Sequence, residues 1–396
     1  MKVVYTGEEM PETFNKSIFL CGPSSRPGQD IESWRNDAIK ILEDIGFDGV
    51  VFSPEYKNIK SDPKSHDEFN YDNQVEWEEK YLNIADCILF WVPRDLSLDK
   101  KGNAKLPAFT TNIEWGTWAE SGKVVFGYPE GAEKNRYMKH YADKYNVPFS
   151  NNLTETLRNA LDKIGDGAER TAGERYVPLY IWNTDSFQSW YKSQKDAGNR
   201  LDKAQVLYTF RPRHKSFVFL WVLQVEVWIE SEQRSKTNEF VLARTDISTV
   251  MLWKKSEPIE NSEVVIIKEF RSPARTEDGF IRELAGGSSP KKGSDPLETA
   301  AEEIHEETGM YIKPERIEFH QARQLAGTLS SHQSFLYSVE LTQEELDWFK
   351  AQDGIVHGKE EDTERTFIEI YSIKDLLDSK YTDWSTLGQV FAIINK

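Results

Sequence analysis

The chain has 396 residues, a formal net charge of −17, and 38% hydrophobic and 12% aromatic residues, 12 of them Trp. That length suits two domains, and that apolar content supports packed cores and excludes a globally disordered chain. The acidic balance excludes general binding to nucleic acid or to an anionic membrane; it leaves room for small anionic substrates held by local arginines, helix N-termini or a metal.

Cys21 and Cys87 both lie in apolar, strand-like runs, which predicts buried thiols in a reduced compartment rather than a disulfide. With no signal peptide and no apolar run of about 18 residues, the expectation is a soluble, cytoplasmic protein. Ser17–Cys21 reads as a short apolar strand, followed by a turn over 22–28. A helix is expected from about Asp30, with Ile31, Trp34, Ala38, Ile41, Leu42 and Ile45 inward. Strands are expected at 49–53, 87–92 and 123–127, and helices at 74–84, 111–121 and Leu153–Ile164. This alternation predicts an α/β fold with a doubly wound parallel sheet, helices on both faces, and ligands at the carboxyl ends of the strands.

Three groups cluster at those strand ends. The amides of the 22–28 loop, starting at Gly22, together with Ser24, Ser25 and Arg26, suit a phosphate or sugar; an ordinary loop is the alternative, since it is neither a Walker A nor a GxGxxG motif. Asp86 directly precedes the third strand and is either an acid or a structural strand-end aspartate. Glu114, placed near a helix start, is either functional or a first-turn glutamate that complements the helix dipole.

The segments SIFLCGPS at 17–24, SWR at 33–35, QVEWE at 74–78, ADCILFWVP at 85–93, TNIEWG at 111–116 and 122–127 together resemble the nucleoside 2-deoxyribosyltransferase-like family over most of residues 15–165. The resemblance implies that Glu114 attacks the sugar C1′ and that Asp86 contacts or protonates the departing base. It also implies a 5′-phosphate or sugar site at Gly22, Ser24, Ser25 and Arg26, and no cofactor in this half. A carboxylate can trap the oxocarbenium-like centre that develops when an N-glycosidic bond breaks. On this reading the helix N-terminus keeps Glu114 ionised, and a raised pKa lets Asp86 act as an acid. Whether water or a second base takes the sugar stays open.

The small, charged stretch 165–173 reads as a linker. The expected division is therefore 1–165, a linker at 166–175, and 176–396. Strands are expected at 205–210, 216–229, 239–243, 249–254 and Glu263–Phe270. The run 216–229 is too short for a membrane span and ends in alternation. A helix is signalled after Gly286 and Gly287 by Asp295 as N-cap, Pro296 at the first position, Glu298 completing a capping box, and Gly309 at the end. Leu297, Ala300, Ala301 and Ile304 form its buried stripe. Glu303, Glu306 and Glu307 gather within about 100° on the other side. They are either metal ligands working with phosphate oxygens or a solvated acidic face. Further strands at 317–326 and 333–341 and a final helix at 373–379 suit a mixed α/β/α sandwich around this helix.

The run Glu303-Ile304-His305-Glu306-Glu307-Thr308-Gly309 resembles the Nudix box. Glu269-Phe270-Arg271 and the segment 280–287 are similar to its ADP-ribose pyrophosphatase branch. The resemblance covers roughly the C-terminal half and implies Mg²⁺ or Mn²⁺ on Glu303, Glu306 and Glu307, with Arg271 facing substrate phosphate and Glu283 a further acidic group. Within the acidic loop 360–364, Glu361 is the choice for base or ligand, a solvated charge run being the alternative. Glu302 stands where that family has an arginine that braces the carboxylates, Ser294 stands at the position of its first glutamate, and one extra residue follows Gly287.

Together the halves predict a bifunctional nucleotide-metabolising enzyme: N-glycosidic cleavage or transfer by the first, and metal-dependent hydrolysis of a nucleoside diphosphate derivative such as ADP-ribose by the second. In a sharper form the first releases nicotinamide from NAD and the second consumes the ADP-ribose. The alternatives are a nucleotide sensor, or a single-activity N-glycosidase with a degenerate C-terminal domain. Expected partners are small nucleotide or nucleoside substrates and, from both resemblances, a second copy in a dimer.

Overall fold

All-apolar strands five residues long or shorter bury both faces, so helices must cover the sheet on each side. The computed structural model, which describes residues 1–24, 31–57, 71–212, 217–289, 291–358 and 364–395, shows this in the first half. Strands β1 (Lys2–Tyr5), β2 (Ser17–Cys21), β3 (Val50–Ser53), β4 (Cys87–Trp91), β5 (Val124–Gly127) and β6 (Phe149–Ser150) form one parallel sheet in the order β1-β3-β2-β4-β5-β6. Helices α1 (Trp34–Asp44) and α5 (Leu153–Ile164) pack on the face carrying Ile18, Leu20, Val51, Leu89 and Val125. Helices α2 (Tyr71–Ile84), α3 (Phe109–Trp118) and α4 (Arg136–Lys144) pack on the face carrying Phe19, Cys21, Phe52, Phe90 and Phe126.

The register of β2 against β4 pairs Ile18 with Cys87 and Cys21 with Phe90. Cys21 and Trp91 therefore mark the carboxyl edge of the sheet, and Ser17 and Asp86 the amino edge. Helix α1 begins later than expected because Ser33 caps it, its side chain accepting from Arg35 N. Helix α3 begins earlier, at Phe109 after a left-handed Ala108 (φ 58). Both cysteines are buried and free.

The stretch expected to be a linker, 166–175, is instead packed. Arg170–Thr171 pairs with Thr13–Phe14, Thr171 and Glu174 form a capping box, and Arg170 is 0% exposed. The chain divides into two compact units: Met1–Asn183 with Ser193–Thr209 and Val222–Phe240, and Thr184–Lys192 with Phe210–Trp221 and Val241–Lys396. Strands β7 (Arg200–Phe210), β8 (Leu220–Ile229) and β9 (Arg234–Arg244) form a separate three-stranded sheet.

The second unit is built on a mixed sheet. Its strands are β10 (Ile247–Lys254), β11 (Glu263–Phe270), β12 (Phe280–Glu283), β13 (Ala285–Gly287), β14 (Glu318–Gln324), β15 (Gln333–Glu340) and β16 (Thr366–Ser372). The order is β12-β11-β10-β15-β14, with β13 paired to β10 and β16 to β11; β10 and β15 run parallel and the other pairs antiparallel. Helices α6 (Pro296–Thr308) and α7 (Gln343–Lys350) bury Ala300, Ile304 and Phe349 against Val250, Leu252, Val265 and Ile267. Helices α8 (Ile373–Asp378) and α9 (Trp384–Ile394) bury Ile373, Leu376, Val390 and Ile393 against Met251, Val264 and Ile266. The expected final helix, α8, is thus followed by another. No helix among the described residues is long and apolar enough to cross a membrane.

Candidate functional site

Helix α6 forms as its terminal residues dictate. Asp295 Oδ1 accepts from Leu297 N at 2.8 Å, Pro296 sits at the first position, and Gly309 closes the helix in the left-handed region (φ 77). No reciprocal Glu298 bond is seen among the described residues, so the cap rests on Asp295. The stripe Ala300–Ile304 fixes which way the helix faces, and this carries Glu307 inward to 3% exposure. Glu307 Oε2 accepts from Gly286 N at 2.8 Å. A side chain at Gly287 would fall 2.6 Å from the Glu303 carboxylate, so glycine is what lets that carboxylate lie against the strand.

Among the described residues, Glu269, Glu307 and Glu364 bring carboxylate oxygens within 4.8 Å of one another. Burial, then the Glu303 charge, pushes Glu307 well above the usual carboxylate range. Burial raises Glu269 to about 7, against the pull of Arg271. Arg271, expected to face phosphate, instead donates to Glu283 Oε1 from Nε (3.0 Å) and Nη2 (2.7 Å), and Nη2 pairs with Glu269 Oε2 at 2.8 Å. It therefore braces these two carboxylates, while Glu302 is exposed on α6. Glu306 is half-buried, and its carbonyl accepts from Gly358 N. Glu361 lies outside the described residues. Arg244 adds a further cation: its guanidinium lies 4.8 Å over the Phe219 ring, Nη2 donates to Ser288 Oγ at 3.1 Å, and its buried Nε has no partner among the described residues.

In the first unit, the carboxyl edge of β2 is built around Arg35. This 1%-exposed guanidinium donates to Leu20 O (2.9 Å), Gly22 O (2.6 Å), Ser24 Oγ (2.9 Å) and Glu55 Oε1 (3.0 Å). Gly22 has no room for a side chain, because a Cβ would collide with the Trp91 carbonyl and the Trp34 indole. Ser24 is exposed and held by Arg35; Ser25 and Arg26 lie outside the described residues.

Glu114 sits over this edge. Trp115 anchors α3 to the sheet through Phe90 (5.1 Å) and Phe126 (4.6 Å), and the preceding residue is thereby aimed at Cys21. Cys21 Sγ donates to Glu114 Oε2 at 3.0 Å. Because α3 starts at Phe109, Glu114 lies in the second turn, where the helix dipole has faded. The expected dipole stabilisation is absent, and burial raises the Glu114 pKa against the pull of Cys21 and Arg35. A second carboxyl, Glu78 on α2, faces the same place. Burial raises it to about 7 despite the 2.7 Å bond from Gln74, and the Glu114 charge adds to the rise.

Asp86 is not part of this site. It precedes β4, so it lies at the amino edge, about 13 Å along the strands from the Cys21 level at roughly 3.3 Å per residue. Its side chain is fully buried and fully engaged: Arg170 donates to both oxygens (2.8 and 2.6 Å), Ser17 Oγ to Oδ2 (2.9 Å), and Leu179 N to Oδ1 (2.8 Å).

Compared with known families, residues 15–132 match the model described as "Nucleoside 2-deoxyribosyltransferase like". These residues form a nucleoside 2-deoxyribosyltransferase-like domain. A search of curated proteins finds no match. Cys21, Arg35, Glu55, Glu78 and Glu114 all fall within the matched span.

Sequence reasoning placed Glu114 at the edge of the deoxyribosyltransferase-like domain that also holds Gly22 and Ser24, and the structure brings these together. It gave no role to Glu78 or Arg35, although both stand in segments already singled out, QVEWE and SWR. Glu78 was findable: it lies one residue past Trp77, whose burial (8% exposed) turns that edge of α2 toward the sheet. In the second unit, Glu269, Glu364 and Arg244 were missed.

Proposed function

We propose that the first unit cleaves the N-glycosidic bond of a nucleoside or nucleotide, with Glu114 as nucleophile and Glu78 as acid. The supporting observation is the pair of partly buried carboxyls at the carboxyl edge, one contacting Cys21 and the other raised to about 7. A Glu114 oxygen forms a bond to C1′ as the C1′–N bond breaks. The bonding pair passes to the base nitrogen, which takes the Glu78 proton. Water then attacks C1′, giving its proton to Glu78 and restoring Glu114; a second base in place of water makes the reaction a transfer. Base release from 2′-deoxynucleosides, their 5′-monophosphates and NAD, followed by mass spectrometry, tests the assignment. Unchanged substrates throughout would remove it, and unchanged NAD alone would remove the sharper two-step scheme.

Glu78 must be protonated and Glu114 ionised, so the rate falls on the alkaline side as pH rises through about 7 and on the acid side as Glu114 gains its proton. Glu78→Gln is expected to cost about 10²–10⁴-fold and to flatten the alkaline limb. An alkaline limb that survives the substitution would assign the acid elsewhere.

For the second unit the proposed activity is hydrolysis of a phosphoanhydride, in a nucleoside diphosphate derivative such as ADP-ribose. Carboxylates packed together suit a hard divalent cation, and Glu269, Glu307 and Glu364 would hold Mg²⁺ or Mn²⁺, with the Glu303 charge beside them. Bound there, the cation would polarise phosphate oxygens and favour a hydroxide nucleophile. Arg244 would meet the phosphate charge, while Arg271 holds Glu269 and Glu283 in place.

The raised carboxyls supply a readout besides turnover. Without a cation, the folded chain keeps protons on Glu307 and Glu269 that the unfolded chain has released, so their contribution to stability falls as pH rises past the ordinary carboxylate range. Mg²⁺ replaces those protons, and its stabilisation is expected to be larger at about pH 8 than at about pH 6, reaching roughly 2.7 kcal/mol at a hundredfold excess over Kd. Thermal unfolding with and without Mg²⁺, for wild type and Glu307→Gln, measures it. A wild-type response no larger than that of the variant would remove the cation from this site.

A further inference from the structure

Cys21 ends β2 at 1% exposure on the face covered by α2, α3 and α4, and its thiol there meets a carboxylate. Sγ lies 3.0 Å from Glu114 Oε2, and among the described residues this is the carboxylate's hydrogen bond; Oε1 accepts none. We propose that Cys21 is a positioning residue for Glu114: its S–H holds Oε2, fixing the carboxylate so that Oε1 is the oxygen that bonds to C1′. The proposal rests on Glu114 being the nucleophile.

The chemistry suits a thiol. Burial and the Glu114 charge push the Cys21 pKa well above its ordinary value, so the group remains an S–H donor through neutral pH. A thiol is a weak donor, so it orients a carboxylate while withdrawing less of its nucleophilic electron density than a hydroxyl would. Among the described residues, the charged and titratable groups facing Glu114 are Cys21 from β2, Arg35 from α1 and Glu78 from α2. Arg35 directs four of its five N–H donors to Leu20, Gly22, Ser24 and Glu55, and the hydrogen bond that Glu114 receives comes from the thiol, which sets the rotamer.

Two measurements on the full chain test this. The first is the infrared S–H stretch, with Cys21→Ala identifying the Cys21 band against that of Cys87. In wild type the Cys21 band is expected at the low frequency of a thiol bonded to a carboxylate, and Glu114→Ala is expected to move it up. An unmoved band overturns the contact without any need for a substrate. The second is the pH profile of base release from 2′-deoxynucleosides and their 5′-monophosphates. Cys21→Ala is expected to lower kcat about tenfold and shift the acid limb to higher pH. Cys21→Ser is expected to recover the rate in part and shift the limb to lower pH, because a hydroxyl donates more strongly. If Glu114→Ala is inactive but the Cys21→Ala profile superimposes on wild type, positioning is overturned and the nucleophile stands. If Glu114→Ala turns over like wild type, the nucleophile assignment fails and the positioning role fails with it.

Discussion

Glu114→Ala is expected to remove N-glycosidic cleavage, lowering kcat/KM at least about 10³-fold, because no other described carboxylate contacts the Cys21 thiol at the carboxyl edge. The loss should appear in kcat and kcat/KM together, since the bond to C1′ exists only beyond the ground state. Stability should change little or rise, because a carboxyl whose pKa burial has raised is held at a cost when ionised. Glu114→Gln keeps the shape and the Cys21 contact but has no carboxylate to offer, so it should be as inactive as alanine. A trapped glycosyl–enzyme adduct in the wild type, located by peptide mass spectrometry, supplies the direct reading. Activity retained in Glu114→Ala but lost in Glu78→Gln would reverse the two assignments.

The comparison between sequence and structure turns on direction and register. The strands of the deoxyribosyltransferase-like domain were legible because Ile18–Leu20 and Ile88–Phe90 are apolar without interruption and bury both faces. Gly22 and Glu114 were legible because one comes directly after a strand and the other precedes an anchoring tryptophan. Asp86 was misread because proximity to a strand does not place a residue at its working edge: in a parallel sheet, the residue before a strand and the residue after it lie at opposite edges. The second unit shows the complementary limit. The α6 termini and the inward turn of Glu307 could be read from local residue types. The acidic loop 360–364 was legible too, but that Glu364 is the residue meeting Glu269 and Glu307 was not, because it depends on β11 meeting β16 in the register that opposes Glu269 to Thr366. That pairing spans nearly a hundred residues, and no local pattern encodes it. Arg271, expected to face phosphate, instead holds Glu269 and Glu283, neighbours on the strand it follows and on the next.

The largest effect on stability is expected at Arg170. Its guanidinium and the Asp86 carboxylate are both fully shielded from solvent, and the ionic contact is bidentate. The same guanidinium donates to Val177 O at 2.7 Å and lies 5.0 Å over the Phe14 ring, so one side chain ties 168–179 to the amino edge of the sheet. Breaking such a pair from one side leaves an uncompensated buried charge, at about 3–5 kcal/mol. Arg170→Ala and Asp86→Ala should each lose about that much in urea unfolding of the full chain. The double replacement Asp86→Leu with Arg170→Leu should recover part of the loss, because neither charge is then stranded. Folded Asp86→Asn should keep the wild-type pH profile of base release, since its position is about four residues of strand away from Glu114. If instead Asp86→Asn left stability intact and abolished base release, the carboxylate would be an acid in the reaction rather than the anchor of a buried ion pair.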